Sequence, residues 1–227
     1  MRETIGYAVG DFGINLYFIS AMTYLLYFYT DVMGLSATAA AGVMALARTV
    51  DAVTDPVMGM IAERTRSRLG RLRPWLILGA LPLGVITILT FTVPDLDANG
   101  KLWWAYTTYL LFGILYTVVT IPYSVLTASI TSDYAARTKL STWRMACAFT
   151  GGLTVSVGTK PFVDLFADPA DGFQALMAVF AVIATGLLVT TFATAEERVT
   201  PAPEQQLTLK LSTVSYTHLR AHETAMY

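Results

Sequence analysis

The sequence predicts an all-α membrane protein of six transmembrane helices. Three observations predict it. Hydrophobic residues make up 55% of the 227 and charged residues only 14%, whereas a soluble domain is about 45–50% apolar and about 25% charged. The mean hydropathy is +0.55. Six stretches approach the roughly 20 apolar residues that a helix needs to cross the hydrocarbon layer, and short hydrophilic breaks separate them.

The first span covers 7–30, "YAVGDFGINLYFISAMTYLLYFYT", and ends at "DVMGLS". The second covers 37–62 and leads into "ERTRSRLGRLRP". The third, 75–94, stops at "PDLDANGK"; the fourth, 102–127, stops before "TSDYAARTKL". The fifth covers 142–163 and the sixth 173–194, with "VDLFADPADG" between them. Residues 1–194 therefore read as one six-helix transmembrane unit. Residues 195–212 are polar and proline-bearing, and read as a cytoplasmic linker. Residues 213–227, with His218 and His222, lack apolar periodicity. They read as foreign to the rest, like translated adapter sequence on a truncated gene model, and the histidines are given no function.

Charge orients the spans. Arg64, Arg66, Arg68, Arg71 and Arg73 follow the second span, and Arg137 and Lys139 follow the fourth. The other breaks are acidic, with Asp31, Asp95, Asp97, Asp164, Asp168 and Asp171 against Lys101. Cytoplasmic loops retain Lys and Arg, so both termini are expected in the cytoplasm. Trp75, Trp103 and Trp104 lie at span ends, where indole rings favour the headgroup zone. The first span begins almost at once, so no cleavable leader is expected and the span is expected to serve as its own targeting signal.

Composition also excludes classes. The net charge of −1 and the lack of a basic tract with interleaved aromatics give no nucleic-acid partner. Cys147 is the single cysteine, so neither an internal disulfide nor a Cys/His zinc cluster is expected. No span carries a histidine, and Ser or Thr without a nearby base is a weak nucleophile, so no enzyme is expected. A receptor would need a signalling domain, and none is legible. No cofactor is expected.

Three charges interrupt the second span. Arg48, Asp51 and Asp55 are spaced i, i+3, i+7 and share one helix face. A charge in the hydrocarbon layer is costly, so that face looks into protein or water. Arg48 can pair with Asp51 one turn away. Asp55 then has no local cation; it must be protonated, hold a cation, or find a partner on another helix. Binding a proton or a metal ion there is the chemistry of a cation-coupled carrier. Pro56 removes a backbone donor, and is expected to bend the helix and free a carbonyl.

Other spans carry polar stripes. Thr117, Thr120, Ser124 and Thr127 share a face of the fourth span. Their hydroxyls can complete a cation shell, line a sugar path, or join helices. On the first span Asp11 and Asn15 share a face with Phe18 and Met22, a mixture that suits a sugar; Asn15 can equally make an interhelical bond. Arg144 can reach the cytoplasmic surface or donate to substrate hydroxyls. Gly151 and Gly152 read as close-packing points. In the basic loop, Gly59 permits close helix approach, and Glu63 and Arg64 can form gate-latching charge pairs; Arg71 belongs to the same cluster.

"YFYTDVMGLS", "ARTVDAVTDPVMG", "RTRSRLGRLRPW", "LYTVVTIPY" and the Arg-x-x-Leu run before Arg144 occur in order. Together they resemble the glycoside–pentoside–hexuronide:cation symporters of the major facilitator superfamily, the melibiose-permease-like carriers. "PWLILGALPLG" and "TVPDLDANGK" resemble its pentoside or xyloside carriers more closely. The resemblance implies the N-terminal half of a twelve-helix fold, a sugar or glycoside substrate, a lipid bilayer around it, and a C-terminal six-helix partner half. It implies symport at a bacterial inner membrane, coupled to Na⁺ or H⁺. Asp51 and Asp55 match the family's cation carboxylates, and would hold Na⁺ if sodium is coupled. Arg48 matches the nearby arginine and Thr117 a neighbouring threonine. Asn15, Thr120 and Ser124 fall where melibiose-type carriers have two aspartates and a tryptophan, so melibiose itself is not implied. Arg144 corresponds, within one residue, to the fifth-span arginine. A carrier of a non-sugar solute in the same superfamily is the alternative.

Overall fold

The computed structural model describes residues 2–199. Residues 200–212 of the linker and the whole 213–227 tail lie outside the described residues. Among the described residues there are six α-helices, one π-helical turn and no strand. They are α1 (Arg2–Tyr27), which continues through a π-helical turn at Phe28–Val32, α2 (Ala37–Arg64), α3 (Arg73–Thr90), α4 (Ala98–Ile130), α5 (Tyr134–Val163) and α6 (Pro169–Thr194).

Four helix starts are written locally. Ser36 accepts from the Ala39 amide, Asp97 from Gly100, Asp133 from Ala136 and Asp168 from Ala170. Such caps satisfy amides that no helical carbonyl can reach. They also explain why α4, α5 and α6 begin four to eight residues before the apolar spans expected at 102, 142 and 173. The polar first turns, "YAARTKL" above all, are capped helix rather than loop. Arg137, in that turn, donates to the Thr131 and Ala128 carbonyls and closes the end of α4.

The start of α3 is capped from afar. The Glu197 carboxylate accepts from the Arg71, Leu72 and Arg73 amides at 3.0, 2.8 and 3.0 Å. Gly70 precedes them at φ +104°, and a Cβ there would sit 2.5 Å from Glu197 Oε1. Arg73 donates to the Phe192 carbonyl and lies over the Phe192 ring. Arg198 pairs with Glu3, and the Arg198 and Val199 amides donate to Ser129. Residues 195–199 thus bind the ends of α1, α3 and α4 at the arginine-rich end of the bundle.

The most extensive pairings are α2 with α4, α4 with α3, α3 with α6, α6 with α1, and α1 with α5. The helices therefore run α2–α4–α3–α6–α1–α5 around the bundle. Small residues permit the tight crossings: a Cβ on Gly13 would meet the Ala184 backbone at 3.0 Å, and one on Gly151 the Phe12 carbonyl at 2.8 Å. Gly151 is the close-packing point that the sequence predicts. The ring is open between α2 and α5, and that face carries the polar groups. Four helical segments, Arg2–Val32, α3, α4 and α6, are long and apolar enough to cross a membrane. Helices α2 and α5 carry nine of the fifteen charged residues in the six α-helices.

Helix α2 runs unbroken through Pro56. The Asp-Pro pair therefore does not start a helix, and no break occurs there. Pro56 still lacks the amide that would bond the Ala52 carbonyl one turn back.

Candidate functional site

Both aspartates of α2 face α4. The Asp55 Oδ1 accepts from the Thr117 hydroxyl at 2.7 Å. One turn earlier, a Cβ on Gly113 would lie 2.8 Å from Asp51 Oδ1, so the absent side chain makes room for that carboxylate. The i, i+4 spacing of Asp51 and Asp55 is met by the i, i+4 spacing of Gly113 and Thr117. Arg48 Nη1 lies 3.6 Å from Asp51 Oδ2, as the spacing predicts. Its Nη2 reaches the Met22 sulfur on α1 at 3.4 Å. Two carboxylates thus stand against one guanidinium on the open face, where Arg48 and Asp55 are exposed. Among the described residues no group of three His, Cys, Asp or Glu side chains could hold a metal ion.

A second constellation joins α1, α4 and α5. Arg144 Nε donates to Asp11 Oδ2 at 2.5 Å and Nη2 to Oδ1 at 3.4 Å. Its Nη1 donates to Thr127 Oγ1 at 2.7 Å. The Tyr7 hydroxyl lies 2.6 Å from Thr127 Oγ1 and donates to the Tyr123 carbonyl at 2.7 Å. A phenol has one proton, so Thr127 accepts from Arg144 and donates to Tyr7. The Tyr123 hydroxyl donates to the Tyr7 carbonyl, and the two rings stack at 4.8 Å. The Arg144 guanidinium lies over both rings, 5.4 and 4.8 Å from their centroids. A fully buried tyrosine pair therefore floors a charged pair that is itself mostly buried.

Asp11 and Arg144 line a cavity of about 320 Å³ with Ser141, Met145 and Ala148. It shares Met145 and Ala148 with a groove of about 600 Å³ between α1 and α5, which Asn15, Phe149 and Ser156 also line. Asn15 donates to the Asp11 carbonyl on its own helix, not to another helix. Phe18 stacks on Tyr116 at 5.8 Å and bridges α1 to α4.

The expected α4 stripe divides. Thr117 serves α2 and Thr127 serves α5, ten residues or about 15 Å along the helix. Thr120 bonds its own helix at Tyr116, and Ser124 is exposed. The gate residues are placed less distinctively. A Cβ on Gly59 would meet only Ile121, at 4.0 Å, so this is no close crossing among the described helices. Glu63 and Arg64 are exposed and make no ion pair among the described residues. Arg71 contributes its backbone amide to Glu197.

Residues 6–219 match the family model described as MFS/sugar transport protein. The chain belongs to that family. The inner membrane symporter YicJ of Escherichia coli (strain K12) is 42% identical over 89% of this chain and 45% of its own length. The uncharacterized symporter YnaJ of Bacillus subtilis (strain 168) is 41% identical, over 88% and 44%. The isoprimeverose transporter of Lactiplantibacillus pentosus is 36% identical, over 87% and 42%. The chain spans less than half the length of each of these relatives. As a member of this family it is a multi-pass helical membrane protein.

Tyr7, Gly113, Tyr123 and Glu197 were not singled out by sequence reasoning. The phenols carried a usable signal, since a buried tyrosine hydroxyl needs a partner. Glu197 carried none beyond being an acid downstream of an arginine-rich loop.

Proposed function

We propose that these helices form the N-terminal half of a twelve-helix carrier that couples sugar uptake to a cation. In this reading α2 and α5 also cross the membrane. Their 28 and 30 residues span about 42 and 45 Å at 1.5 Å per residue. Arg48, Asp51 and Asp55 of α2 lie toward the open face and Arg144 of α5 lines the cavity, where the second half closes the pocket. The protein sits in a bacterial inner membrane with both termini in the cytoplasm.

The observation that carries the proposal is the α2–α4 register. Asp51 and Asp55 face Gly113 and Thr117 with only Arg48 to offset them. That surplus negative charge suits one monovalent cation, Na⁺ or H⁺, held by carboxylate and hydroxyl oxygens. Cation binding neutralises the face and favours the conformation that binds sugar. The α1–α5 groove, with Asn15 on its wall and Arg144 in the adjoining cavity, takes a glycoside or pentoside, and Ser124, exposed on α4, completes its contacts. The names of the relatives support a sugar or glycoside cargo. Glu63, Arg64 and Arg71 serve a gate against the second half.

The test joins residues 1–199, which keep the Glu197 cap on α3, to the C-terminal half of the Escherichia coli relative and measures pentoside uptake in membrane vesicles. Uptake is expected to require a Na⁺ or H⁺ gradient and to be abolished by Asp51→Cys or Asp55→Cys, with insertion intact. Accumulation that persists in the double variant would overturn the proposal. Counterflow with non-sugar solutes separates a sugar carrier from a carrier of another solute.

A further inference from the structure

The connection between α2 and α3, residues 65–72, is fixed along its length. The Trp75 indole donates to the Thr65 hydroxyl at 3.1 Å. The Ser67 hydroxyl accepts from the Leu69 amide at 3.1 Å, and the Ser67 carbonyl from the Gly70 amide at 3.2 Å. Glu197 holds the Arg71, Leu72 and Arg73 amides. Arg66, Arg68 and Leu69 stand exposed on this turn. Neither arginine makes an ion pair among the described residues.

Charge at this end of the bundle is counted over every element that reaches it. Among the described residues, nine Arg and Lys side chains stand there against five Glu and Asp, so the surplus is positive whichever pairs form. Four of the carboxylates are engaged. Arg198 takes Glu3 and Glu196, the α3 amides take Glu197, and the Ala136 amide takes Asp133. Arg73 and Arg137 donate to backbone carbonyls. Glu63 is then left to face Arg2, Arg64, Arg66, Arg68, Arg71 and Lys139.

We propose that this turn is a binding site for an anionic phospholipid, with Arg66 and Arg68 on its phosphodiester and Leu69 against its glycerol and upper acyl chains. A guanidinium can donate two parallel N–H bonds to a phosphate. A loop joining two membrane-embedded helices lies at headgroup level, and an indole such as Trp75 favours that depth. Basic side chains there gain from an anionic surface within a Debye length. Leu69 favours a lipid over a free phosphate: the lipid covers the leucine, and a soluble anion leaves it in water. A turn already tied to Trp75 and Glu197 loses little freedom when it binds. The inference needs only the membrane embedding that the family establishes, and is independent of the cargo and the coupling ion.

The purified 227-residue chain in a neutral detergent is titrated with dioleoylphosphatidylglycerol, and bound lipid is counted by native mass spectrometry. Dioleoylphosphatidylcholine, which has no net charge, is the reference. The anionic lipid is expected to bind at least about tenfold tighter. Arg66→Gln with Arg68→Gln should remove most of that preference, roughly fivefold for each arginine, the scale for one basic residue at an anionic surface. Arg2→Gln with Lys139→Gln takes the same charge from the same end and should change the affinity by less than about threefold, because a distant charge is screened. Leu69→Ser should weaken the lipid, and glycerophosphoglycerol, the soluble headgroup, should compete poorly. Equal binding of the two lipids by the unaltered chain overturns the proposal. So does an equal loss in the two double variants, since the preference then belongs to diffuse charge. Displacement by the soluble headgroup, with Leu69→Ser without effect, marks a site for phosphate and overturns the lipid assignment. Helical circular dichroism checks the fold of each variant, and the comparison of lipids on the unaltered chain decides the matter if a variant misfolds.

Discussion

Asp55 and Thr117 belong to different helices, 62 positions apart, yet share a 2.7 Å hydrogen bond. The hydroxyl donates to the carboxylate and keeps a lone pair that, on the proposed reading, faces a bound cation. Thr117→Val removes both roles. In the joined carrier it is expected to raise the cation concentration for half-maximal uptake by roughly tenfold, because a hydrogen bond to a charged group is worth about 1.5–3 kcal/mol. Thr117→Ser should restore it; cation titrations of uptake check both. The Tyr7 hydroxyl makes a different point. It joins Thr127 to the Tyr123 carbonyl inside a fully buried pair. Tyr7→Phe removes the second donor on that carbonyl, which α4 already pairs within the helix, and the acceptor of the Thr127 hydroxyl; a loss of about 0.5–1.5 kcal/mol and a lower melting temperature in detergent are expected. Arg48 with Asp51 was legible from spacing alone, because both lie on one helix. Asp55 with Thr117 was not: a single helix face shows that a partner is needed, not which helix supplies it.

At the scale of the element, the helices differ in where their starting amides are satisfied. Four draw on a cap within three residues, and the sequence shows those caps as Ser36, Asp97, Asp133 and Asp168. Hydropathy alone misplaced three of the boundaries, since it registers the apolar slab and not the polar turns that extend beyond it. Helix α3 depends on Glu197, more than a hundred residues away. Replacing it by Ala removes the acceptor of three amides. A loss of about 1–2 kcal/mol is expected, at the upper end of helix-capping effects. The matching readout is faster hydrogen exchange at Arg71, Leu72 and Arg73, with the amides near the Asp97 and Asp133 caps unchanged. The segment after α6, read as linker, thus helps to hold the bundle over its first five residues.

On the scale of the whole molecule, the six helices enclose a groove on only one side. The order α2–α4–α3–α6–α1–α5 leaves α2 and α5 without an extensive packing surface between them, so the polar face there stays open. A carrier needs a second wall against which to rock. The 227-residue chain expressed alone is expected to insert but to give background levels of cation-driven sugar uptake. Co-expression with the C-terminal half of a relative should raise uptake above background. Gradient-driven accumulation by the chain alone would show that the open face is closed by other means.

Sequence by itself determined the helical class, the six apolar segments, and the one-faced placement of Arg48, Asp51 and Asp55. Each follows from spacing along a single helix or from the cost of charge in hydrocarbon, and both are properties of local chain. Tertiary structure alone decided that Asp11 answers Arg144, that Thr117 answers Asp55, and that Glu197 caps α3. Those pairings depend on which helices are neighbours and at what register. That is fixed by crossings such as Gly151 against Phe12 and Gly13 against Ala184, where backbone meets backbone and one absent methyl sets the distance.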